Sequence, residues 1–252
     1  MTKIIALFNQ AGGVCKTSLA MNVGYQLGQR HHRVLLVDLD PQASLTTFMG
    51  LEPHELEETI ADAVLDEDDE SLPVHTNLHG VHLCPSNITL SAAELQLASV
   101  MARETRLRQA LAPVQHNYDF ILIDCPPSLG VLSILGLTAA THVLVPIQTH
   151  FKAFKGTELL LNTIKQVKRR VNPSLAIAGF VPTLYQSTAS QDHTILEALN
   201  EQLSPLATVF DPIPRATAFA DAAMSLQPLA IYAPKHPGVS ALNAIASGLE
   251  EN

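Results

Sequence analysis

With 252 residues, 47% of them apolar, the chain is long enough for one large core and short for two, so one domain over 1–252 is expected. Three cysteines, Cys15, Cys84 and Cys125, are scattered without a Cys-x-x-Cys pair, which excludes a disulfide framework or zinc cluster and suits a cytoplasmic chain. The net charge of −9 is local: residues 52–70 hold ten acids and no Lys or Arg, leaving 14 acids against 15 bases, or +1, elsewhere.

In chain order, "MTKIIALFNQAGG" reads as a first strand rather than a signal peptide, because its apolar run reaches the glycines without a small-residue cleavage site. Residues 17–29 are helical, "RVLLVDLD" is an apolar strand ending in carboxylates, and 53–65 form a helix before the loop "DEDDESLP". Next come "GVHLCPS" as a short strand, 91–112 as a helix, and "YDFILIDCPPS", a second apolar run ending in a carboxylate. The charge-free span 128–147 reads as the helix "LGVLSILGLTAA" and the strand "HVLVPIQ", bordered by Asp124, Pro126 and Pro127, rather than as a membrane span. A long helix over 153–170, the strand "LAIAGFVPTLY", a helix over 189–203 and a last helix after Gly238 complete the pattern. Continuous apolar strands alternating with helices indicate an α/β fold, a mostly parallel sheet with helices on both faces.

Such sheets bind ligands beyond the carboxyl ends of their strands. Three strands end in chemistry there: "NQAGGVCKTS", "DLDPQ" and "DCPPS". In the first, the backbone N–H groups of Gly12, Gly13, Val14, Cys15 and Ser18, the helix dipole and the Lys16 ammonium would face phosphates, while the Thr17 hydroxyl would take Mg²⁺. Asp124 suits the magnesium role that phosphoryl-transfer sites give a strand-end carboxylate. Taken singly, Asp38, Asp40 and Asp124 could be helix caps; in this order, after strands, they form a nucleotide site.

The ordered set "NQAGGVCKTS", "VLLVDLDPQ", "YDFILIDCPPSLG", "VLVPIQ" and "VFDPIPR" resembles the ParA/MinD branch of P-loop ATPases, with its deviant Walker A loop, and most closely the ParA side, from Lys3 to the last helix. The resemblance implies that Lys16, Asp38, Asp40 and Asp124 are catalytic. Thr17, with Asp38 and Asp124 through water, would hold Mg²⁺, Asp40 the attacking water, and Pro214 and Arg215 would lie near the adenine. It also implies a single-domain P-loop NTPase fold and an ATP-dependent sandwich homodimer.

The sequence departs from the family at two places. Ala11 stands where the family's signature lysine belongs, and Cys15 replaces the glycine before Lys16; Cys15 is expected to add only a small side chain. In the family the signature lysine crosses the dimer interface to the partner's phosphates, so its loss leaves charge uncompensated. After "VPIQ" the chain reads "THFKAFKG", placing Lys152 where relatives have an aromatic and Lys155 where they have a glutamate. Lys152, or failing it Lys155, is expected to substitute for the missing lysine. An intact catalytic set without that lysine resembles the McdA-type, carboxysome-positioning ATPases of cyanobacteria. The resemblance implies a nucleoid-associated dimer bound to non-specific DNA, and a small McdB-like adaptor on the cargo that stimulates hydrolysis.

DNA affinity needs concentrated Lys and Arg. Residues 152–170 carry six, with Lys168, Arg169 and Arg170 at the end, and these three with Lys235 are the expected contacts. The acidic stretch, Asp66 to Glu70 above all, could dock a basic adaptor. Four rival readings are plasmid or chromosome partition, MinD-like membrane cycling, a metabolic ATP-dependent enzyme, and a catalytically dead binding module. The end, "GVSALNAIASGLEEN", is acidic and lacks the basic amphipathic pattern of a membrane anchor. The histidines, among them His31, His32, His142 and His150, lack metal-ligand spacing and receive no role.

Overall fold

In the computed structural model, which describes residues 2–66 and 72–251, the strands β1 (Lys3–Leu7), β2 (Val34–Asp38), β3 (His75–Leu78), β4 (Val81–Cys84), β5 (Phe120–Asp124), β6 (His142–Gln148) and β7 (Ala176–Thr183) form one sheet. Their order is β3-β4-β2-β5-β1-β6-β7. Every described pairing is parallel except β3 with β4. Helices cover both faces, as the continuous apolar runs require: every residue of β2 and β5 is buried.

Alternation along the strands sorts the core into two layers. Ile4, Ala6 and Phe8 of the first strand and its exit, with Leu35, Val37, Ile121 and Ile123, pack on one side. They meet α3 (Ile60–Leu65), α4 (Thr89–Leu97), α5 (Arg106–Leu111), α6 (Val131–Ala139), α7 (Phe151–Arg170) and α8 (Ser190–Leu203). On the other side, Ile5, Leu7, Leu36 and Leu122 pack against α1 (Lys16–Gln29) and α11 (Pro237–Glu251), joined by α2 (Ser44–Phe48), α9 (Ala218–Met224) and α10 (Leu229–Tyr232).

Three expectations need correction. The helix expected over 53–65 begins only at Ile60, after a 3₁₀ turn at Pro53–Glu55. Thr59 starts it with a capping box, its hydroxyl accepting from Ala61 N while its own N–H donates to Asp62 Oδ2 at 2.8 Å. The helix expected over 91–112 is two helices, α4 and α5, separated where Ala102 turns left-handed at φ 54°. The strand at "GVHLCPS" has a partner that the sequence reading passed over: β3 pairs with β4 through a turn at His79 and Gly80, both at positive φ, the geometry of a type I′ hairpin. Among the described residues no helix is long and apolar enough to cross a membrane, and the 128–147 span contains α6 and most of β6. Glu67 to Glu70, most of the proposed adaptor-docking stretch, lie outside the described residues.

Candidate nucleotide site

The sheet order places β5 between β1 and β2 and brings their carboxyl ends together. Leu7 and Asp38 both register with Asp124, so the loop after β1 starts beside two strand-end carboxylates. That loop is held from the neighbouring strands. Asn9 donates from Nδ2 to Pro146 O of β6 at 2.6 Å and accepts from Ala11 N at 2.9 Å, while Thr183 Oγ1 of β7 donates to Val14 O at 3.3 Å. Gly13 at φ 72° and Cys15 at φ 68° supply the two left-handed turns that swing the chain into α1.

Lys16 is the first residue of α1 and only 6% exposed. Its ammonium reaches back over the loop to Asn9 O and Ala11 O, both at 3.0 Å. Burial pushes its pKa down, and the nearby Asp124 works against that. Asp124 is 1% exposed, and neither carboxylate oxygen completes a hydrogen bond. Burial, and then the neighbouring Asp38, push its pKa well above the usual carboxylate range, although the Thr17 hydroxyl and Lys16 nearby favour its charged form. An orphaned buried carboxylate of this kind is costly unless something else supplies the charge.

Asp38 is fully buried but well partnered. Its Oδ2 accepts from Thr46 N and Thr46 Oγ1, both at 2.8 Å, and its Oδ1 from Asp40 N at 3.2 Å. Burial raises its pKa to about 6 despite these bonds. Asp40 is half-buried, with its Oδ1 accepting from Gln42 N at 3.0 Å. Lys16, Thr17, Asp38, Asp40 and Asp124 thus converge at one sheet edge, as their strand-end positions required.

The remaining predicted residues divide. Pro214 joins Cys15, Ser18, Leu19 and Phe219 around a small apolar slot of about 40 Å³ on the α1 side of the loop. Arg215 instead lines a separate hollow with Gln148, His150 and Asp192. Lys152 shares a cavity of about 700 Å³ with Ala11 and Gly12, between the loop and the first turns of α7. Lys155 does not: it lines the groove between α7 and α8 with Glu158 and Glu201, its ammonium 5.0 Å from the centre of the Phe151 ring. Lys168, Arg169 and Arg170 are exposed at the last turn of α7, about 24 Å along the helix from Lys152. Lys235 precedes α11, which packs on the opposite face of the sheet, so it does not join that basic cluster.

Sequence reasoning missed Asn9, Thr46, Ser86 and Thr183, which hold the site from behind. It also gave His150 no role, whereas its Nδ1 caps α7 by accepting from Lys152 N at 3.3 Å. None belongs to a recognisable spacing; Thr183, a polar residue ending an apolar strand, is the one that could have been signalled.

The family described as an AAA domain matches residues 2–177. The sporulation initiation inhibitor protein Soj of Bacillus subtilis is 35% identical over the whole length of both chains. The chromosome partitioning protein ParA of Myxococcus xanthus is 35% identical over 98% of this chain and 87% of its own. Among solved structures, one described as cobyrinic acid a,c-diamide synthase from Mycobacterium smegmatis with bound ADP and magnesium is 36% identical with a TM-score of 0.87, covering 100% of this chain and 95% of that one. A Cyanothece McdA variant in complex with ATP, 24% identical over 99% of this chain and 95% of its own with a TM-score of 0.87, shares the fold. With a family model over most of its length and 35% identity to Soj and ParA over essentially all of it, the chain belongs to the ParA/MinD family of P-loop ATPases.

Proposed function

We propose that the protein is a magnesium-dependent ATPase of the ParA type, in which two ATP-bound copies close face to face, hold DNA without sequence preference, and separate when an adaptor stimulates hydrolysis. The observation that carries this reading is the buried, unpartnered carboxylate of Asp124 beside Lys16 and Thr17. Its two oxygens fit the outer sphere of a hydrated cation, and the Thr17 hydroxyl fits an inner position. Thr17, with Asp38 and Asp124 through water, would hold Mg²⁺, which when bound neutralises charge on the β- and γ-phosphates. The Gly12 to Ser18 backbone would cradle the phosphates, and Lys16 would exchange its two loop carbonyls for phosphate oxygens. Asp40, half-buried beside them, is placed to orient the attacking water. The apolar slot at Pro214 would take one edge of the adenine. ADP, an ATP analogue and magnesium in the solved M. smegmatis relative support ATP and Mg²⁺ as ligands.

Lys152 in one cavity with Ala11 supports the substitution of the signature lysine by Lys152 and weighs against Lys155. A Lys152→Ala variant is expected to lose ATP-dependent dimerisation, and Ala11→Lys in that background to restore it; full dimerisation of Lys152→Ala would remove the idea. The same observation favours carboxysome positioning over DNA as the cargo. The full-length partition relatives favour the second reading, chromosome or plasmid partition. Filter binding of the ATP-loaded protein to unrelated DNA at rising salt tests the shared cycle. ATP-dependent, salt-sensitive retention that Lys168→Ala/Arg169→Ala/Arg170→Ala abolishes is expected, and no ATP-dependent retention would remove it. ATP-dependent formation of an amide from an acid, without DNA binding, would assign the diamide-synthase activity named for the M. smegmatis relative instead.

A further inference from the structure

Behind the two aspartates of "DLDPQ" lies a closed ring of hydrogen bonds, and from it we infer that Thr46 and Ser86 are positioning residues for ATP hydrolysis. The inference rests on the ATPase reading above. Thr46 sits in α2, which the left-handed Ala43, at φ 51°, turns back beneath the end of β2. Both Thr46 and Ser86 are fully buried. The Thr46 backbone N–H and hydroxyl each donate to Asp38 Oδ2 at 2.8 Å. Ser86 N donates to Thr46 Oγ1 at 2.9 Å. A hydroxyl has a single proton, so one that already accepts from Ser86 has its own proton committed to Asp38.

The ring then closes through Asp40. Ser86 Oγ donates to Asp40 O at 2.9 Å, and Asp40 N donates to Asp38 Oδ1 at 3.2 Å. Ser86 stands two residues beyond the end of β4, whose Cys84 registers with Val37 of β2. The segment carrying both acids is therefore fixed from the β4 side through Ser86, and from β5 by Leu39 N donating to Asp124 O at 3.0 Å. Asp38 is held in one orientation by three donors, with only one side of Oδ1 left to act outward. Asp40 has both backbone polar groups tied, so its carboxylate projects from a fixed point.

Positioning of this kind governs the rate of the chemical step more than the affinity for nucleotide. Thr46→Val keeps the shape and removes the hydroxyl, freeing one donor to Asp38 and leaving Ser86 N–H unpaired. It is expected to lower kcat at least tenfold while the dissociation constant of a fluorescent ATP analogue with Mg²⁺ stays within twofold. Thr46→Ser, which keeps the hydroxyl, is expected to hold kcat within threefold. Ser86→Ala removes one of two donors to the Asp40 carbonyl, which keeps Ala43 N at 2.9 Å, and is expected to lower kcat about threefold; should Thr46→Val not fold, Ser86→Ala carries the test, and an unchanged kcat there would overturn the role. A Thr46→Val rate within twofold of the parent, a Thr46→Ser variant as impaired as Thr46→Val, or an equal loss of nucleotide affinity would overturn the positioning role alone. A parent chain that hydrolyses no ATP, with or without DNA, would overturn the ATPase reading and this role together.

Discussion

At the residue scale the site keeps two carboxylates where a core would hold leucines. Asp124 has the harder position, buried with no well-formed hydrogen bond and only the Thr17 hydroxyl and Lys16 close enough to favour its charge, and its burial works against the charged form that the proposed magnesium role requires. Such a group trades stability for function. Asp124→Asn is expected to raise the stability of the nucleotide-free protein by roughly 1–2 kcal/mol in denaturant titration while abolishing hydrolysis. A destabilised Asn variant would mean that an unseen partner holds the carboxylate. Cys15 carries a second local strain, because its left-handed φ of 68° costs a side chain about 1–2 kcal/mol. The sequence reading, which gave Cys15 only a small added volume, therefore undercounts its effect. Cys15→Gly relieves that strain but loosens the unfolded chain by about 0.4–1 kcal/mol. The net expectation is a gain of about 0–1.6 kcal/mol in the denaturant-derived stability; a loss would show that the thiol's packing in the slot beside Leu19 and Pro214 outweighs the strain. Asp38, Asp40 and Asp124 were legible because each ends an apolar run. Thr46 and Ser86 were not, since their partners are set by the return of α2 and the register of β4 on β2, which no local spacing encodes.

At the scale of elements, long apolar runs gave the strands within a residue or two, because a strand buried on both faces has no polar position to confuse it. The helices were harder. Residues 98–105 keep a helical composition, yet the chain breaks there at Ala102 so that α4 and α5 can pack separately around α6. α2, α9 and α10 are 5, 7 and 4 residues long, too short for a period to register in sequence. Tertiary hydrogen bonds complete what local signals leave open. Asn172, just beyond α7, is buried and its Nδ2 donates to Leu137 O, Thr138 O and Ala140 O at 2.9, 3.3 and 2.7 Å. It closes the C-terminal end of α6 in place of a glycine cap. Asn172→Ala leaves those carbonyls buried without their donor, and is expected to cost about 1–3 kcal/mol by chemical denaturation. ATPase activity at a temperature where the variant is folded should change little, since α6 ends at the sheet edge opposite the phosphate loop. A variant as stable as the parent would mean that water replaces the amide.

At the scale of the whole molecule, the buried acids set how stability responds to pH. Burial raises Asp38 to about 6 and lifts Asp124 in the same direction, whereas carboxylates of an unfolded chain titrate near 4. Below pH 4 both states hold these protons, and the stabilising effect of the protonated form is fully present. Between about pH 4 and 6 the unfolded chain releases its protons while the folded chain keeps them, so stability falls as pH rises and levels off above the folded-state values. Asp119 acts in the opposite sense, held down to about 2 by the Arg33 guanidinium, but that pair is exposed and screened, so its contribution is small. General acid unfolding, from self-repulsion of the protonated chain, is superimposed on all of these. The difference between two variants removes it. In nucleotide- and metal-free protein, the stability advantage of Asp124→Asn over the parent is expected to be smallest near pH 4, where the parent's acid is neutral, and to grow toward pH 7. Urea titrations of both proteins at half-unit steps across that range measure it. An advantage that does not change with pH would mean that Asp124 keeps its charge throughout in the folded state, and its burial alone would no longer account for the response.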